Sequence, residues 1–273
     1  MIKRVANLLN YEKSLSPRVH FDRDSEDRRT LTLHVGAVLT GLLNLYLGVQ
    51  NRSQLYKSIV FITFTHSFYQ YVRASFTCAV IDPGYITQEV LDMQPKEIVA
   101  AWPSPPGSPS SNVRKIDNKI CPYCSKTKPK RAHHCGTCDV CIERYDHHCP
   151  YLDNCIGFRN FPYFFKVNVY GVSSGLISLI SCFDQIISSD YYKPTFIKSN
   201  IWKTLLFIFT ISLQTAGTAF NIKILFRTIY LTWRGQTLVE KKSGVRFYKT
   251  VRENYQLFLG KNWGWWLVMG GKR

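Results

Sequence analysis

The sequence predicts an α-helical integral membrane protein with four transmembrane helices and a cytosolic cysteine-rich module between helices 2 and 3. Three observations carry that class. Four apolar stretches are each long enough to cross a bilayer, the basic residues alternate between segments, and seven of the nine cysteines lie between Cys121 and Cys155. A helix needs about 20 residues to cross the hydrocarbon core.

The first stretch, about Leu31 to Val49, has His34 as its only ionisable side chain. The second, about Ser58 to Ile81, contains His66 and Arg73, and the Asp82-Pro83-Gly84 turn stops it. The third, about Tyr163 to Ile187, carries Lys166 near its start and Asp184 near its end. The fourth runs from about Ile201 to Phe226. Four buried helices of a soluble bundle would show a charged face on every turn, as amphipathicity requires, and these stretches do not.

Charge sets the orientation. Residues 1–30 hold seven Lys/Arg, residues 82–162 ten, and residues 227–273 ten. The two short connections hold Arg52 and Lys57, then Lys193 and Lys198, so four helices divide the basic residues 27 against 4. Under the positive-inside rule, both termini and the cysteine cluster face the cytosol. The expected organisation is a cytosolic segment 1–30, helices 1 and 2 in 31–81 and a cytosolic loop 82–162. Helices 3 and 4 follow in 163–226, then a cytosolic segment 227–273. Within the loop, residues 101–112 (AWPSPPGSPSSN) have the composition of a linker, and the cysteine-rich module occupies about 119–162.

Composition excludes other classes. Apolar residues at 45% and aromatics at 14% are too many for a disordered chain. The net charge of +17 suits polyanions or an anionic membrane face, but it is spread over three segments rather than forming one patch. That spread argues against a nucleic-acid-binding finger module, so no nucleic acid partner is expected. Clustered cysteines are not those of a secreted disulfide scaffold, and no cleavable signal peptide is read at the start.

Residues 121–157 contain seven Cys and four His. The Cys121-x2-Cys124, Cys135-x2-Cys138 and Cys138-x2-Cys141 spacings suit knuckles that place two thiolates on one zinc. Structural zinc takes four ligands, so two ions consume eight of the eleven candidates and leave three groups over. Asp146-His147-His148-Cys149 then admits two readings. An imidazole can deprotonate a nearby thiol while an aspartate orients the imidazole, provided the backbone turns sharply there. Alternatively Cys149 is a zinc ligand and Asp146 supports a ligating histidine.

The stretch resembles the DHHC cysteine-rich domain of protein S-acyltransferases, the palmitoyltransferases. The matching residues are Cys121, Cys124, Lys128-Pro129, Arg131, His134-Cys135, Cys138, Cys141, Asp146-His147-His148-Cys149-Pro150, Asn154-Cys155-Ile156-Gly157 and Asn160. The resemblance extends to Asp82-Pro83-Gly84, the four-helix layout and the C-terminal segment. It implies that Cys121, Cys124, His134 and Cys141 hold one zinc and that Cys135, Cys138, His148 and Cys155 hold the other. It makes Cys149 the acylated nucleophile, His147 its base and Asp146 the residue that orients the base, with His133 at the surface or behind a ligand. Two positions depart from the family: Tyr151 stands where Trp is usual, and Thr237-Leu238-Val239-Glu240 replaces Thr-Thr-x-Glu. Asn254-Tyr255, Gly260 and Asn262-Trp263 resemble the family's C-terminal motif, while Trp263, Trp265 and Trp266 read as an interfacial belt.

The implied activity is transfer of a palmitoyl group from palmitoyl-CoA to cysteine thiols of membrane-associated proteins through an acyl-cysteine intermediate, with two structural zinc ions. The bilayer, acyl-CoA and protein substrates with cytosolic cysteines are the implied partners, and the endoplasmic reticulum or Golgi the implied location. The greasy tail of an acyl-CoA suits a cavity between helices, and its polyanionic head suits Lys/Arg at the cytosolic face. The competing class is a membrane-anchored zinc-ribbon adaptor, which has no use for the intact Asp-His-His-Cys.

Overall fold

The computed structural model describes residues 36, 39, 41–43, 46, 52–86, 120–126, 128–129, 131–188, 200–245 and 250–260. The long helices are α1 (Gln54–Val80), α2 (Phe161–Ser188) and α3 (Ile201–Trp233); α4 (Leu238–Lys242) and α5 (Val251–Leu259) are short. Four three-residue strands, β1 (His133–Cys135), β2 (Val140–Ile142), β3 (His147–Cys149) and β4 (Asn154–Ile156), form two antiparallel hairpins. Most of the first apolar stretch, the 101–112 linker, the Lys193–Lys198 connection and Trp263, Trp265 and Trp266 lie outside the described residues.

Among the described residues, two helices are long and apolar enough to cross a membrane, Phe161–Ile187 and Ile201–Trp233. The α1 helix is 27 residues long, but Lys57, His66, Arg73 and its hydroxyl residues dilute its hydropathy. Gly36, Leu39, Gly41–Leu43 and Tyr46 in the first stretch are helical. The α3 helix overruns the expected Phe226 end and stops at Arg234-Gly235, where Gly235 takes φ +67°. Its 33 residues make roughly 50 Å of helix, well beyond the ~30 Å hydrocarbon core.

The described residues group into two compact units, one from Ser75–Phe164 and Thr228–Arg273, the other from Asp24–Ala74 and Phe165–Arg227. The second unit is helical and inverts the burial pattern of a soluble bundle. Ser174, Ser178, Ser181, Gln185, Thr210 and Thr218 are buried, while Phe183, Phe209 and Phe226 are more than 60% exposed. Lipid tails are as apolar as these rings, so helices in a bilayer turn small and polar residues toward one another. Gly175 lies against Thr218 Oγ1 with no room for a Cβ, and a Cβ on Gly171 would meet Asn221 Oδ1 at 3.1 Å. Arg52 forks onto Asp184, with Nε to Oδ2 at 2.6 Å.

The first unit holds the hairpins. Its entry is the Asp82-Pro83-Gly84 turn, where Asp82 Oδ1 accepts from the N–H groups of Gly84 (2.7 Å) and Tyr85 (2.9 Å). A helix ending there leaves carbonyls without partners. Asn154 Nδ2 lies 2.9–3.1 Å from the carbonyls of Cys78, Ala79 and Ile81, and Asn160 Nδ2 reaches Cys78 O. These amides tie the hairpin module to the α1 C-terminus. Gly157 has no side chain because a Cβ would meet Pro83 O at 2.5 Å.

The hairpins are duplicates in register. His133, His134 and Cys135 oppose Ile142, Cys141 and Val140, as His147, His148 and Cys149 oppose Ile156, Cys155 and Asn154. Their apolar clusters are small: Ile86, Cys121, Ala132 and Cys141 in one, and Tyr85, Cys135, Ile142 and Cys155 in the other. Cores this thin need a covalent or metal staple.

Candidate active site

None of the nine cysteines is in a disulfide. Eight Cys/His side chains converge in two sets whose ligand atoms all lie within 4.8 Å of one another: Cys121, Cys124, His134 and Cys141, and Cys135, Cys138, His148 and Cys155. These are the two quartets that the resemblance implied. The contacts have the dimensions of a tetrahedron. With Zn–S near 2.3 Å and Zn–N near 2.0 Å, S···S edges should be about 3.8 Å and N···S edges about 3.5 Å. Cys124 and Cys141 are 3.7 Å apart, and His148 Nδ1 stands 3.4 Å from Cys138 Sγ and 3.5 Å from Cys155 Sγ. Cys138 and Cys155 are closer, at 3.2 Å.

The polar accounting points to a cation as well. His134 Nδ1 is buried with no hydrogen-bond partner, while Asp139 Oδ1 lies 3.4 Å from its Nε2, a carboxylate behind a ligating imidazole. Burial and then Cys121 push the Cys141 thiol up, and Cys135 and Cys138 do the same to Cys155. Crowded thiols resist joint ionisation without a cation to share. Both groups therefore fit two zinc ions.

Cys149 belongs to neither set. The reason lies in the strand, where successive side chains point to opposite faces. On β3, His148 turns to the thiols while His147 and Cys149 share the other face. The expected sharp turn at Asp146–Cys149 is therefore not what brings the groups together; an extended strand does it by alternation. The same rule sends His134 and Cys135 on β1 to different quartets.

Asp146 is buried, and its Oδ2 lies 2.7 Å from His147 Nδ1. His147 shares its strand face with Cys149, one of the groups that act on its ring. Burial pulls the His147 imidazole down, but the Asp146 bond and then the neighbouring Cys149 sulfur outweigh it and bring it to about 9. Phe164 packs edge-on against the ring at 5.2 Å, which limits its rotation. His133, the counterpart of His147 on β1, has Ala132 in place of Asp146. Burial and Lys128 push it down.

The Thr237–Glu240 segment closes the site from behind. Thr237 and Glu240 form a reciprocal capping box at the start of α4. Glu240 is buried and takes Arg131 bidentately, at 2.6 Å from Nε and 2.7 Å from Nη2, and Arg131 also donates to Gly235 O at 2.9 Å. The N–H of Leu238 donates to Asp146 Oδ1 at 2.7 Å. Asn254 Nδ2 reaches Trp233 O at 2.9 Å, and the Arg144 guanidinium lies over the Phe258 ring at 4.3 Å, fastening α5 to the hairpins.

Residues 114–244 match the model of the DHHC palmitoyltransferase family. That region is a DHHC-family domain. It is similar to a probable protein S-acyltransferase 16 of Arabidopsis thaliana, 34% identical over 146 residues, covering 52% of this chain and 49% of that one. It is 30% identical to palmitoyltransferase ZDHHC9 of Pongo abelii over 197 residues, 68% of this chain and 49% of the relative. Palmitoyltransferase ZDHHC20 of Homo sapiens is 29% identical over 149 residues, covering 53% and 39%. The chain thus spans half or less of the length of these relatives. DHHC proteins are multi-pass membrane proteins, in keeping with the inverted burial of the helical unit.

Two features of this DHHC module lay beyond the sequence reading. The pairing of Arg131 with Glu240, 109 residues away, leaves no local signal. The duplication does leave one. Cys121, Cys124, His134 and Cys141 recur 14 positions on as Cys135, Cys138, His148 and Cys155, a period shorter than those of stacked repeats.

Proposed function

We propose that the protein is a protein S-acyltransferase that carries a long-chain acyl group, palmitoyl in the first instance, from acyl-CoA to cysteine thiols of membrane-associated proteins. One observation supports this above the others: Cys149, outside both metal sets, shares a strand face with an imidazole that a buried aspartate orients. A metal-binding adaptor has no need of such a thiol.

In this reading His147 keeps Cys149 as a thiolate and Asp146 stabilises the imidazolium. The sulfur attacks the thioester carbonyl carbon; the Cys149–acyl bond forms as the bond to CoA sulfur breaks, and His147 returns its proton to the departing CoA thiolate. A substrate thiol then gives its proton to His147 and attacks acyl-Cys149, which regenerates the enzyme. Cys121, Cys124, His134 and Cys141 would hold one zinc and Cys135, Cys138, His148 and Cys155 the other. Zinc supplies cross-links to a thin core, and the thioester chemistry belongs to the side chains.

The same reading takes the chain as four-spanning, with both termini and the 82–162 loop in the cytosol and the endoplasmic reticulum or Golgi as its membrane. Its support is the 27-to-4 division of basic residues. The test is incubation of the purified chain with labelled palmitoyl-CoA, followed by neutral hydroxylamine. Label that is bound covalently, released by hydroxylamine and absent from Cys149→Ser supports the reading. A metal-loaded wild-type chain that takes up no label overturns it in favour of the adaptor.

A further inference from the structure

The 14-residue period does not end with the second quartet. Continued once more, it places Cys149 where Cys121 and Cys135 stand, Leu152 where Cys124 and Cys138 stand, and Pro162 and Val169 at the remaining two ligand positions. The backbone repeats as well. Ser125, Asp139 and Asp153 each follow the fourth position of a Cys-x2 turn, and all three take left-handed φ, at 54°, 51° and 42°. L-residues seldom adopt that conformation, so three at one spacing identify one turn built three times. The hairpins leading into the second and third turns share their register.

We infer that Cys149-Pro150-Tyr151-Leu152 is a third metal knuckle in its backbone, disarmed because Leu152 replaces the second thiolate. Leu152 is then the residue that keeps the reactive thiol out of coordination. Structural zinc takes four protein ligands, and even an open site takes three. Cys149 and His147 alone fall short of that number. A ligand at 152 would raise the count to three, with Cys149 held by the metal instead of left for chemistry. Leu152 is buried, so its apolar side chain also fills the position that a ligand and an ion would otherwise occupy. The inference concerns metal binding and holds whether or not Cys149 carries an acyl group.

The test is metal content of the purified full chain, with zinc alone as the probe. Leu152→Cys and Leu152→His each supply a ligand, and Leu152→Ala makes the packing change without one. With excess zinc followed by desalting, the first two should hold about three ions per chain and the alanine variant about two. Maleimide labelling of Cys149 should be slowed by zinc, about tenfold or more, in the two ligand variants only, and a chelator should restore it. If a ligand variant keeps its resident ions, gains none and labels at the same rate with and without zinc, the inference is overturned. Loss of the resident ions from both ligand variants overturns it equally, since a knuckle backbone accepts a ligand at that position.

Discussion

The main-chain N–H of Leu238 donates to Asp146 Oδ1 at 2.7 Å, across 92 residues of sequence. The bond is made by a backbone group, so the departure from Thr-Thr-x-Glu at Leu238 leaves this contact in place. The capping box and the Arg131–Glu240 pair fix the first turn of α4, and that turn aims the amide at the carboxylate.

A proline at this position isolates the amide. Leu238 is the first helical residue of α4, where proline is well tolerated, and Thr237 before it is already extended at ψ 168°. Leu238→Pro should therefore keep the fold and both metal sites while removing one hydrogen bond to a charged group, worth about 1.5–3 kcal/mol. If the bond orients the catalytic pair, self-acylation should slow roughly tenfold or more. Leu238→Ala, which keeps the N–H, should stay near wild type. Equal rates for the two variants would remove Leu238 from the mechanism.

Arg131 and Glu240 offer a second test. Removing one partner of a buried pair strands the other, at a cost of about 3–5 kcal/mol. Arg131→Ala should lower the unfolding midpoint of the detergent-solubilised chain by several degrees. Arg131→Lys should lie between it and wild type, because an ammonium cannot form the fork with Glu240. A lysine variant as stable as wild type would show that charge alone suffices.

Metal and nucleophile should separate by variant. Cys135→Ala leaves three ligands in its set and should lose about one zinc and destabilise the module. Cys149→Ser should keep about two zinc ions and take up no acyl label. Loss of an ion from Cys149→Ser would place that thiol in coordination and return the adaptor reading.

The Cys121-x2-Cys124 and Cys135-x2-Cys138 knuckles were legible because that spacing reflects a local geometry. The sorting of all eight positions into two sets came from the family resemblance, and Cys138-x2-Cys141, which also has knuckle spacing, is divided between the sets. The alternation of His147, His148 and Cys149 was not legible. Three residues are too few to show a strand period, and the strand exists because β4 pairs with it. Leu238 departs from the family pattern as a side chain, whereas the group that meets Asp146 is its amide, which a sequence does not distinguish. The end of α3 was placed seven residues early, at Phe226 instead of Trp233, because apolar content marks the bilayer and not the helix. Most of the first stretch, the linker and the Lys193–Lys198 connection lie outside the described residues, so their expected topology rests on charge.

That topology has a direct check. Tags at either terminus and within 101–112 should be accessible from the cytosol, and one between Lys193 and Lys198 should be lumenal. Protease protection of the 101–112 tag inside sealed vesicles would reverse the orientation and place Cys149 away from cytosolic acyl-CoA.

The two adjacent histidines give the sharpest test, because strand alternation assigns them opposite tasks. His148 Nδ1 stands within 3.5 Å of both Cys138 and Cys155, whereas His147 faces Asp146 and Cys149. His148→Ala should lose about one zinc and yield little folded protein, since a structural site needs its fourth ligand. His147→Ala should keep about two ions and the fold, yet acylate itself at least 100-fold more slowly, the range that a positioned base supplies. Raising the assay pH should recover part of that loss, because hydroxide can take the proton that the imidazole took; no pH should rescue Cys149→Ala. Asp146→Asn should be the milder lesion if the carboxylate only orients and stabilises the imidazole. With its Oδ1 still accepting from the Leu238 amide, the asparagine turns an NH2 donor toward His147 Nδ1, so the charge and the accepted hydrogen bond are both lost there while the base itself remains. Metal content and self-acylation measured side by side on these variants decide the matter. Zinc loss from His147→Ala with both ions retained in His148→Ala would mean that β3 presents its faces the other way round.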